Sequence, residues 1–529
     1  MPVLSKRLDQ LRTAKNLAGL ADLTRGVEKE SLRVNRQGTL SRTTHPKALG
    51  AALTHPHITT DYSEALLEFI TPPEKNINHI INTLEDLHTF TYQHIGDESL
   101  WVNSMPCILN DDDVPIAQYG DSNSGRMKSI YRLGLGHRYG RSMQTIAGIH
   151  FNFSVSDDLW EFLHKTDASN LSLVSYKTDG YLKLIRNFRR NFWLLLYLFG
   201  AAPAVCSSFI KGREHVLEPV KADDPHTLHT PYATSLRMGD LGYQSSTQES
   251  LMPTYNNIDE YIKTLCDAIT QQHTDYGAID IKDKQGEYQQ LNDCLLQIEN
   301  EFYSVIRPKR TAKSGQTALS ALANGGIEYI EVRCLDLNPF EDVGINKQQI
   351  QFLDIFLLYC LLEESPPSDK NENQKILHNQ KRMVYEGRKP DLKLHDFDKE
   401  RSTAQWSQEI MGKLQLIAEL IDTQNNSEDY QNALKVEQRK LDNSAHTPSA
   451  KIIEQLNNDE ISFYHLALRQ SLANREHFKS QQLHATTAAN YTQMAAESLT
   501  KQKHIEADTS MDFEKYLENY YKQYNCCTQ

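Results

Sequence analysis

The chain has 529 residues, of which 39% are apolar and 24% charged; this is an ordinary soluble balance and excludes collagenous, disordered and membrane-embedded classes. Lys and Arg total 56 against 69 Asp and Glu, a net charge of -13, which repels a phosphate backbone and excludes broad nucleic-acid binding. Eight cysteines without CxxC pairs or regular spacing fit neither a zinc site nor a disulfide framework, and read as reduced thiols of a cytoplasmic protein.

Residues 1–26 carry scattered charges and no apolar segment of the kind a secretory signal requires. From Leu23 to Phe340 short strand-like segments alternate with helical ones across turn signals such as Asn35-Arg36-Gln37-Gly38 and Asn324-Gly325-Gly326. Gly26 to Asn35 (GVEKESLRVN) predicts a strand with Glu28 and Glu30 on one face and Val27 and Lys29 on the other. Two like charges side by side suit either a solvated face or a divalent cation. Ile58 to Pro72 (ITTDYSEALLEFITP) sets Asp61, Glu64 and Glu68 among apolar residues, with Glu64 and Glu68 expected on one face. Buried carboxylates need a cation or strong donors. Ile149 to Phe153 alternates so that His150 and Asn152 share a strand face. Phe192 to Val205 is the most apolar run, too short for a membrane span and broken by Gly200 and Pro203, and predicts a buried core helix.

Pro231 to Tyr243 and Leu296 to Arg310 supply Arg237, Tyr243, Tyr303 and a basic end at Arg307, Lys309 and Arg310, groups suited to a small carboxylated ligand. Tyr329, Glu331 and Arg333 alternate onto one strand face, either as an ion pair or as a metal carboxylate beside a phosphate-binding guanidinium. Acidic ligands with one histidine and no thiolate suit Mg²⁺ or Mn²⁺ rather than structural zinc. No GxxxxGK[ST] loop or dinucleotide fingerprint occurs. After Lys347 apolar residues recur at helical spacing, with a polar surface loop expected over Ser365 to Gln374. The expected division is therefore a sheet-and-helix core over 1–345 and a mostly helical region over 346–529 packed on the same unit. The terminal Cys526-Cys527-Thr528-Gln529 is read as a chance likeness to a prenylation box.

Taken in order, GVEKESLRVN, ITTDYSEALLEFITP, AQYGDSNSGRMK, MQTIAGIHFNFS, PYATSLRMGDLGY, QIENEFYSVIRPKR and GGIEYIEVRCLDLNP resemble the glutamate-cysteine ligase family of the gammaproteobacterial class. The resemblance spans roughly residues 20–345 and extends to EGRKPDLKL, where Asp391 stands in place of the family's usual glycine. It implies an α+β fold related to glutamine synthetase, with an antiparallel sheet forming a funnel. By position in those motifs it implies Glu28, Glu30, Asp61, Glu68, His150 and Glu331 as ligands of more than one Mg²⁺ or Mn²⁺ ion, and Arg333 as the catalytic arginine at the nucleotide phosphates. Glu64 has no metal role in the pattern. Tyr131, Leu135, Gln144, Arg237, Tyr243 and Tyr303 are implied to hold cysteine, with Arg237 on its carboxylate.

The implied reaction joins the γ-carboxylate of glutamate to the amine of cysteine through a γ-glutamyl phosphate, with ATP as co-substrate and glutathione as feedback inhibitor in the same cleft. No nucleic-acid, membrane or obligate protein partner is expected, nor a fused second ligase. A ligase for another small amine, a metal-dependent phosphohydrolase and a non-catalytic metabolite binder remain alternatives at this point.

Overall fold

The computed structural model describes residues 3–13, 17–107, 109–242, 248, 251–313 and 315–524. Tyr243, Cys526 and Cys527 lie outside them. The strands in chain order are β1 (Leu23–Val34), β2 (Ile58–Thr60), β3 (Leu66–Ile70), β4 (Ser99–Leu100), β5 (Ile149–Val155), β6 (Ala204–Cys206), β7 (Glu218–Lys221), β8 (Asp224–His229), β9 (Ile306–Lys309), β10 (Tyr329–Leu335), β11 (Lys393–Asp396) and β12 (Lys399–Ser402). The main sheet runs β2-β3-β1-β5-β10-β9, with β4 pairing one end of β1, and its pairs are antiparallel. A three-stranded sheet β6-β8-β7 and the β11-β12 hairpin stand apart from it.

Alternation gives the main sheet two unlike faces. Val27, Leu67, Phe69, Ile149, Phe151, Ile330 and Val332 are almost fully buried and form the apolar back. Helices cover that back. Ile77–His94 packs on β1 and Leu173–Asn191 on β9, while Lys347–Leu362 packs on both of these helices. Lys347–Leu362 is buried on every side from Gln349 to Leu362, the pattern of a central core helix. The other face carries the polar residues and opens onto a cleft.

The chain is thus α+β, an antiparallel sheet with surrounding helices and a mostly helical C-terminal third. Several local expectations change. The apolar run Phe192–Val205 splits into the helix Trp193–Phe199 and strand β6. The predicted surface loop ends at Asp369, whose side chain accepts the amide N–H of Glu372 and starts the helix Lys370–Glu386. Asp391 has φ of +57°, a left-handed backbone that glycine adopts freely and Asp tolerates better than most residues. The expectation of reduced thiols fails at Cys107 and Cys206, which form a disulfide with Cα atoms 5.5 Å apart. They are 99 residues apart in sequence, so no local spacing marks them.

Candidate active site

The polar face of the sheet floors a cleft of about 840 Å³. Strand register sets the floor: Glu28 lies opposite His150 and Glu30 opposite Glu68, while Glu331 lies between Asn152 on one side and Arg307 on the other. Glu28, Glu68 and His150 each present a ligand atom within 4.8 Å of the others. His150 Nδ1 is 3.1 Å from Glu28 Oε2, and Nε2 is 3.7 Å from Glu30 Oε1. Asn152 donates to Glu28 at 2.9 Å, and the Gly148 amide donates to Glu30 at 2.7 Å. Asp61, in the turn after β2, also lines the cleft.

Charge is uneven across this floor. Burial, reinforced by Glu28, Asp61 and Glu30, pushes the Glu68 carboxyl well above its ordinary range, and burial also raises Glu30. These are carboxylates lacking enough positive charge. At Glu331 burial opposes ionisation, yet Lys309, Arg333 and His150 outweigh it and hold the carboxyl well below its ordinary range. Lys309 Nζ is 3.3 Å from Glu331 Oε1, and Arg333 Nη1 is 3.1 Å from Oε2. The floor therefore grades from excess carboxylate at β3 and β1 to balanced ion pairs at β10 and β9.

Glu64, expected on the face of Glu68, is not in this group. It precedes β3 and its carboxylate accepts the backbone amides of His45 and of Gln118, the latter at 2.6 Å. A turn interrupts the alternation that would have aligned it, and backbone donors satisfy its charge.

The walls come from elsewhere. Helix Asn123–Tyr139 starts where the Ser122 hydroxyl accepts the amide of Gly125 at 3.2 Å, and it turns Lys128, Tyr131, Arg132 and Leu135 towards the cleft at helical spacing. Gln144 donates to the Tyr303 hydroxyl at 3.0 Å. The loop bearing Tyr303 is fixed from behind by a fully buried Arg138–Glu301 pair at 3.0 Å. Arg237 is 1% exposed, lines the cleft and donates to the Arg333 carbonyl at 3.1 Å. Every residue that the resemblance implies for metal, nucleotide or cysteine, except Tyr243, thus lines one cleft.

Sequence reasoning missed part of the wall. Lys128 stands in one of the motifs quoted above, and with Arg132 it shares the helical face of Tyr131 and Leu135, a projection that would have exposed both. Lys501, Ile505, Tyr516 and Tyr520 come from the C-terminal helices, where a lysine in a Gln- and Lys-rich helix carries no local signal of a site.

The family model described as glutamate-cysteine ligase matches residues 8–383. The glutamate-cysteine ligases of Saccharophagus degradans and Alcanivorax borkumensis are 52% and 51% identical, covering 98% of this chain and 98% and 100% of their own. The likeness therefore continues through the helical third, beyond the motifs in which the resemblance was seen. A crystal structure of the glutamate-cysteine ligase of Francisella tularensis in complex with AMP superposes with a TM-score of 0.89 at 37% identity, covering 96% of this chain and 99% of that one. A bifunctional glutathione synthetase from Pasteurella multocida shares the fold, with a TM-score of 0.72 at 23% identity over 92% of this chain and 58% of that one.

Fold and comparisons together define a carbon–nitrogen ligase driven by ATP. More narrowly, the chain belongs to the glutamate-cysteine ligase family, and its reaction forms γ-glutamylcysteine, ADP and phosphate from glutamate, cysteine and ATP. Among the described residues no helix is long and apolar enough to cross a membrane.

Proposed function

We propose that Glu28, Glu30, Asp61, Glu68, His150 and Glu331 hold more than one divalent cation, with Mg²⁺ the expected ion. The donor set fits: carboxylates and one imidazole on a rigid sheet, with Glu68 short of positive charge in its absence. Bound cations would supply the positive charge that offsets a triphosphate and a carboxylate brought together.

The chain's own groups do the remaining work. Arg333 and Lys309, already at Glu331, face the phosphates, where fixed cations stabilise charge that moves during transfer. A carboxylate is a poor acylating agent, so the γ-carboxylate oxygen of glutamate attacks the γ-phosphorus of ATP and ADP leaves. The neutral cysteine amine then attacks the acyl carbon, the acyl–oxygen bond breaks, and the departing phosphate takes up the proton that the amine loses. Arg237 takes the cysteine carboxylate, while Tyr131, Leu135, Gln144 and Tyr303 enclose the thiol side and exclude water. Holding the partners in line supplies much of the acceleration.

The observation that carries this reading is one cleft in which an acidic floor meets the Glu331–Arg333–Lys309 ion pairs. The test is ADP release with Mg²⁺ and glutamate in the presence of no acceptor, cysteine, or a panel of small amines, with product mass read alongside. Cysteine-dependent γ-glutamylcysteine is expected. Equal release without acceptor would turn the reading to a phosphohydrolase, and turnover only with another amine would remove the thiol pocket. Glu331→Gln should lower activity and weaken its Mg²⁺ dependence; no change in either sinks the metal assignment. Two further expectations belong here: residues 346–529 pack on the same unit as the sheet-and-helix core, and glutathione inhibits by binding in the same cleft. A cytoplasmic setting suits all three substrates.

A further inference from the structure

Two stretches carry polar residues that the proposed chemistry does not use: GLGHRYG, Gly134 to Gly140, and the opening of QIENEFYSVIRPKR, Gln297 to Glu301. They interlock behind the cleft wall. Tyr131, Leu135 and Arg138 fall on one stripe of helix Asn123–Tyr139; the first two line the cleft, while the Arg138 side chain is fully buried. Its Nη1 donates to Glu301 Oε1 at 3.0 Å, and its Nη2 donates to the Gln290 side chain at 2.9 Å and to the Asn292 carbonyl at 2.6 Å. The Tyr139 hydroxyl donates to the same Glu301 oxygen at 2.8 Å.

The other carboxylate oxygen of Glu301 accepts the Gln297 amide at 2.6 Å. Gln297 is fully buried, and its remaining polar groups all have partners. Its carbonyl accepts the Tyr521 hydroxyl at 2.9 Å and the Asn292 side chain at 3.1 Å; its Oε1 accepts the Leu291 amide at 3.0 Å, and its Nε2 donates to the Tyr131 carbonyl at 3.2 Å. This side chain presses on Gly134, where an added Cβ would come within 2.2 Å of Oε1. Glycine is a poor residue for a helix interior and alanine a good one, so the bare backbone at 134 serves the glutamine.

The lock reaches Tyr303 through Gln248. Gln248 Nε2 donates to the Tyr139 hydroxyl and to the Glu301 carbonyl, both at 3.0 Å, while Oε1 accepts the Tyr303 amide at 3.0 Å. The Tyr139 and Tyr303 rings also meet edge to face, with centroids 5.9 Å apart. Tyr131 on the helix and Tyr303 on the loop are therefore joined by one buried network.

We propose that Glu301 and Gln297 are positioning residues: they set the spacing between Tyr131 and Tyr303, and through it the preference for an acceptor that carries a thiol. This rests on the reading that cysteine is held between those walls. As a source of stability alone a buried ion pair is dispensable, since apolar side chains of similar volume often do as well. The Arg138–Glu301 pair supplies direction instead: a planar guanidinium and a carboxylate fix each other's orientation, and the hydrogen bonds around them leave the loop one place to sit.

The test is steady-state kinetics of the full-length Glu301→Gln, Gly134→Ala and Arg138→Met/Glu301→Gln enzymes, each substrate varied in turn, with urea denaturation alongside. 2-Aminobutanoate, which keeps the amine and carboxylate of cysteine but has a methyl group in place of the thiol, is offered as a second acceptor. Glu301→Gln and Gly134→Ala should raise the KM for cysteine about tenfold and narrow its preference over 2-aminobutanoate about threefold or more, with the KM values for glutamate and ATP within about twofold. The double variant, which no longer strands the charge of Arg138, should recover the urea midpoint lost in Glu301→Gln but not the cysteine preference. A preference that returns with the midpoint overturns the positioning role. So does a cysteine KM unchanged in both single variants, or an equal rise in all three KM values. If Glu301→Gln does not fold, Gly134→Ala, which keeps the ion pair, decides alone. Wild-type enzyme without cysteine-dependent turnover would instead overturn the ligase reading itself.

Discussion

Asp336 tests how the proposed acceptor side of the cleft is held. It directly follows β10 and is 1% exposed. Its carboxylate accepts the Ala201 amide at 2.8 Å and the Ser235 hydroxyl at 2.9 Å, and lies 3.8 Å from Arg237 Nη1. Burial pushes this carboxyl above its ordinary range despite Arg237 and the two donors. On the other side of Arg237 sits Gly148, where an added Cβ would come within 2.0 Å of Nη2. The guanidinium is thus fixed between a buried charge and a bare backbone. Unit charges at that separation attract by roughly 4 kcal/mol at an effective dielectric constant of about 20, a ceiling that desolvation lowers. Asp336→Asn removes the charge and sets an amide N–H₂ against one of the two donors. The expected losses are about 1–3 kcal/mol of stability, by urea denaturation, and about a tenfold rise in the cysteine KM, with glutamate and ATP within about twofold. Ser235→Ala, which keeps the charge, should change the cysteine KM far less. An unchanged cysteine KM in Asp336→Asn refutes the positioning role, and an equal rise in all three KM values reduces Asp336 to a structural residue.

Three further expectations concern the scaffold. His55 Nδ1 accepts the amides of His57 and Ile58 at 3.1 and 2.8 Å, and burial lowers its pKa from 6.5 to about 4. The unfolded chain therefore binds the proton first, and stability present above pH 6.5 is lost as pH falls towards 4, by up to about 3 kcal/mol. His55→Asn, which offers an oxygen to the same amides, should flatten that part of the pH–stability curve; an unaltered slope refutes the assignment. Reduction of Cys107–Cys206, or Cys107→Ser, should cost about 2–4 kcal/mol, and a melting temperature indifferent to reductant would show the bond unformed in solution. Asp354, on helix Lys347–Leu362, takes two hydrogen bonds from Arg25 at 2.7 and 2.8 Å and one from Tyr430 at 3.0 Å, with both charged side chains buried. Asp354→Ala should cost about 3–5 kcal/mol in urea denaturation, whereas the Arg25→Met/Asp354→Leu double variant should lose much less. Equal losses would show that packing rather than the stranded charge is responsible.

Period-two alternation made the floor legible because it is strictly local. Glu28 with Glu30, His150 with Asn152, and Tyr329 with Glu331 and Arg333 each fall on one face of one strand. The same rule failed at Glu64, where a turn replaces the strand and backbone amides take the carboxylate. Groups that reach the site through tertiary contact left no such trace. Lys501 meets the cleft only because Ser498 and Glu506 dock on Ala51 and Asp121, 447 and 385 residues away. The Cys107–Cys206 pair is illegible for the same reason.

Sheet order explains why one cleft gathers residues from most of the chain. β3, β1, β5 and β10 are neighbours in the sheet, although Glu28 and Glu331 stand far apart in the sequence. Local alternation says which face a carboxylate takes, but only the pairing of strands says which carboxylates meet. That meeting is unfavourable on its own: the carboxyl of Glu68, raised first by burial, is raised further by Glu28, Asp61 and Glu30. The opposite face offsets it: Val27, Phe151, Ile330 and Val332 are fully buried there, and apolar burial of this kind stabilises by roughly 1.5–3 kcal/mol per side chain. A rigid apolar back thus lets the front keep like charges close together, ready for cations. Glu68→Gln, at the carboxyl that burial and its acidic neighbours raise, should therefore raise the urea midpoint of the metal-free protein while weakening the proposed metal site, the opposite of what a carboxylate placed for stability would do.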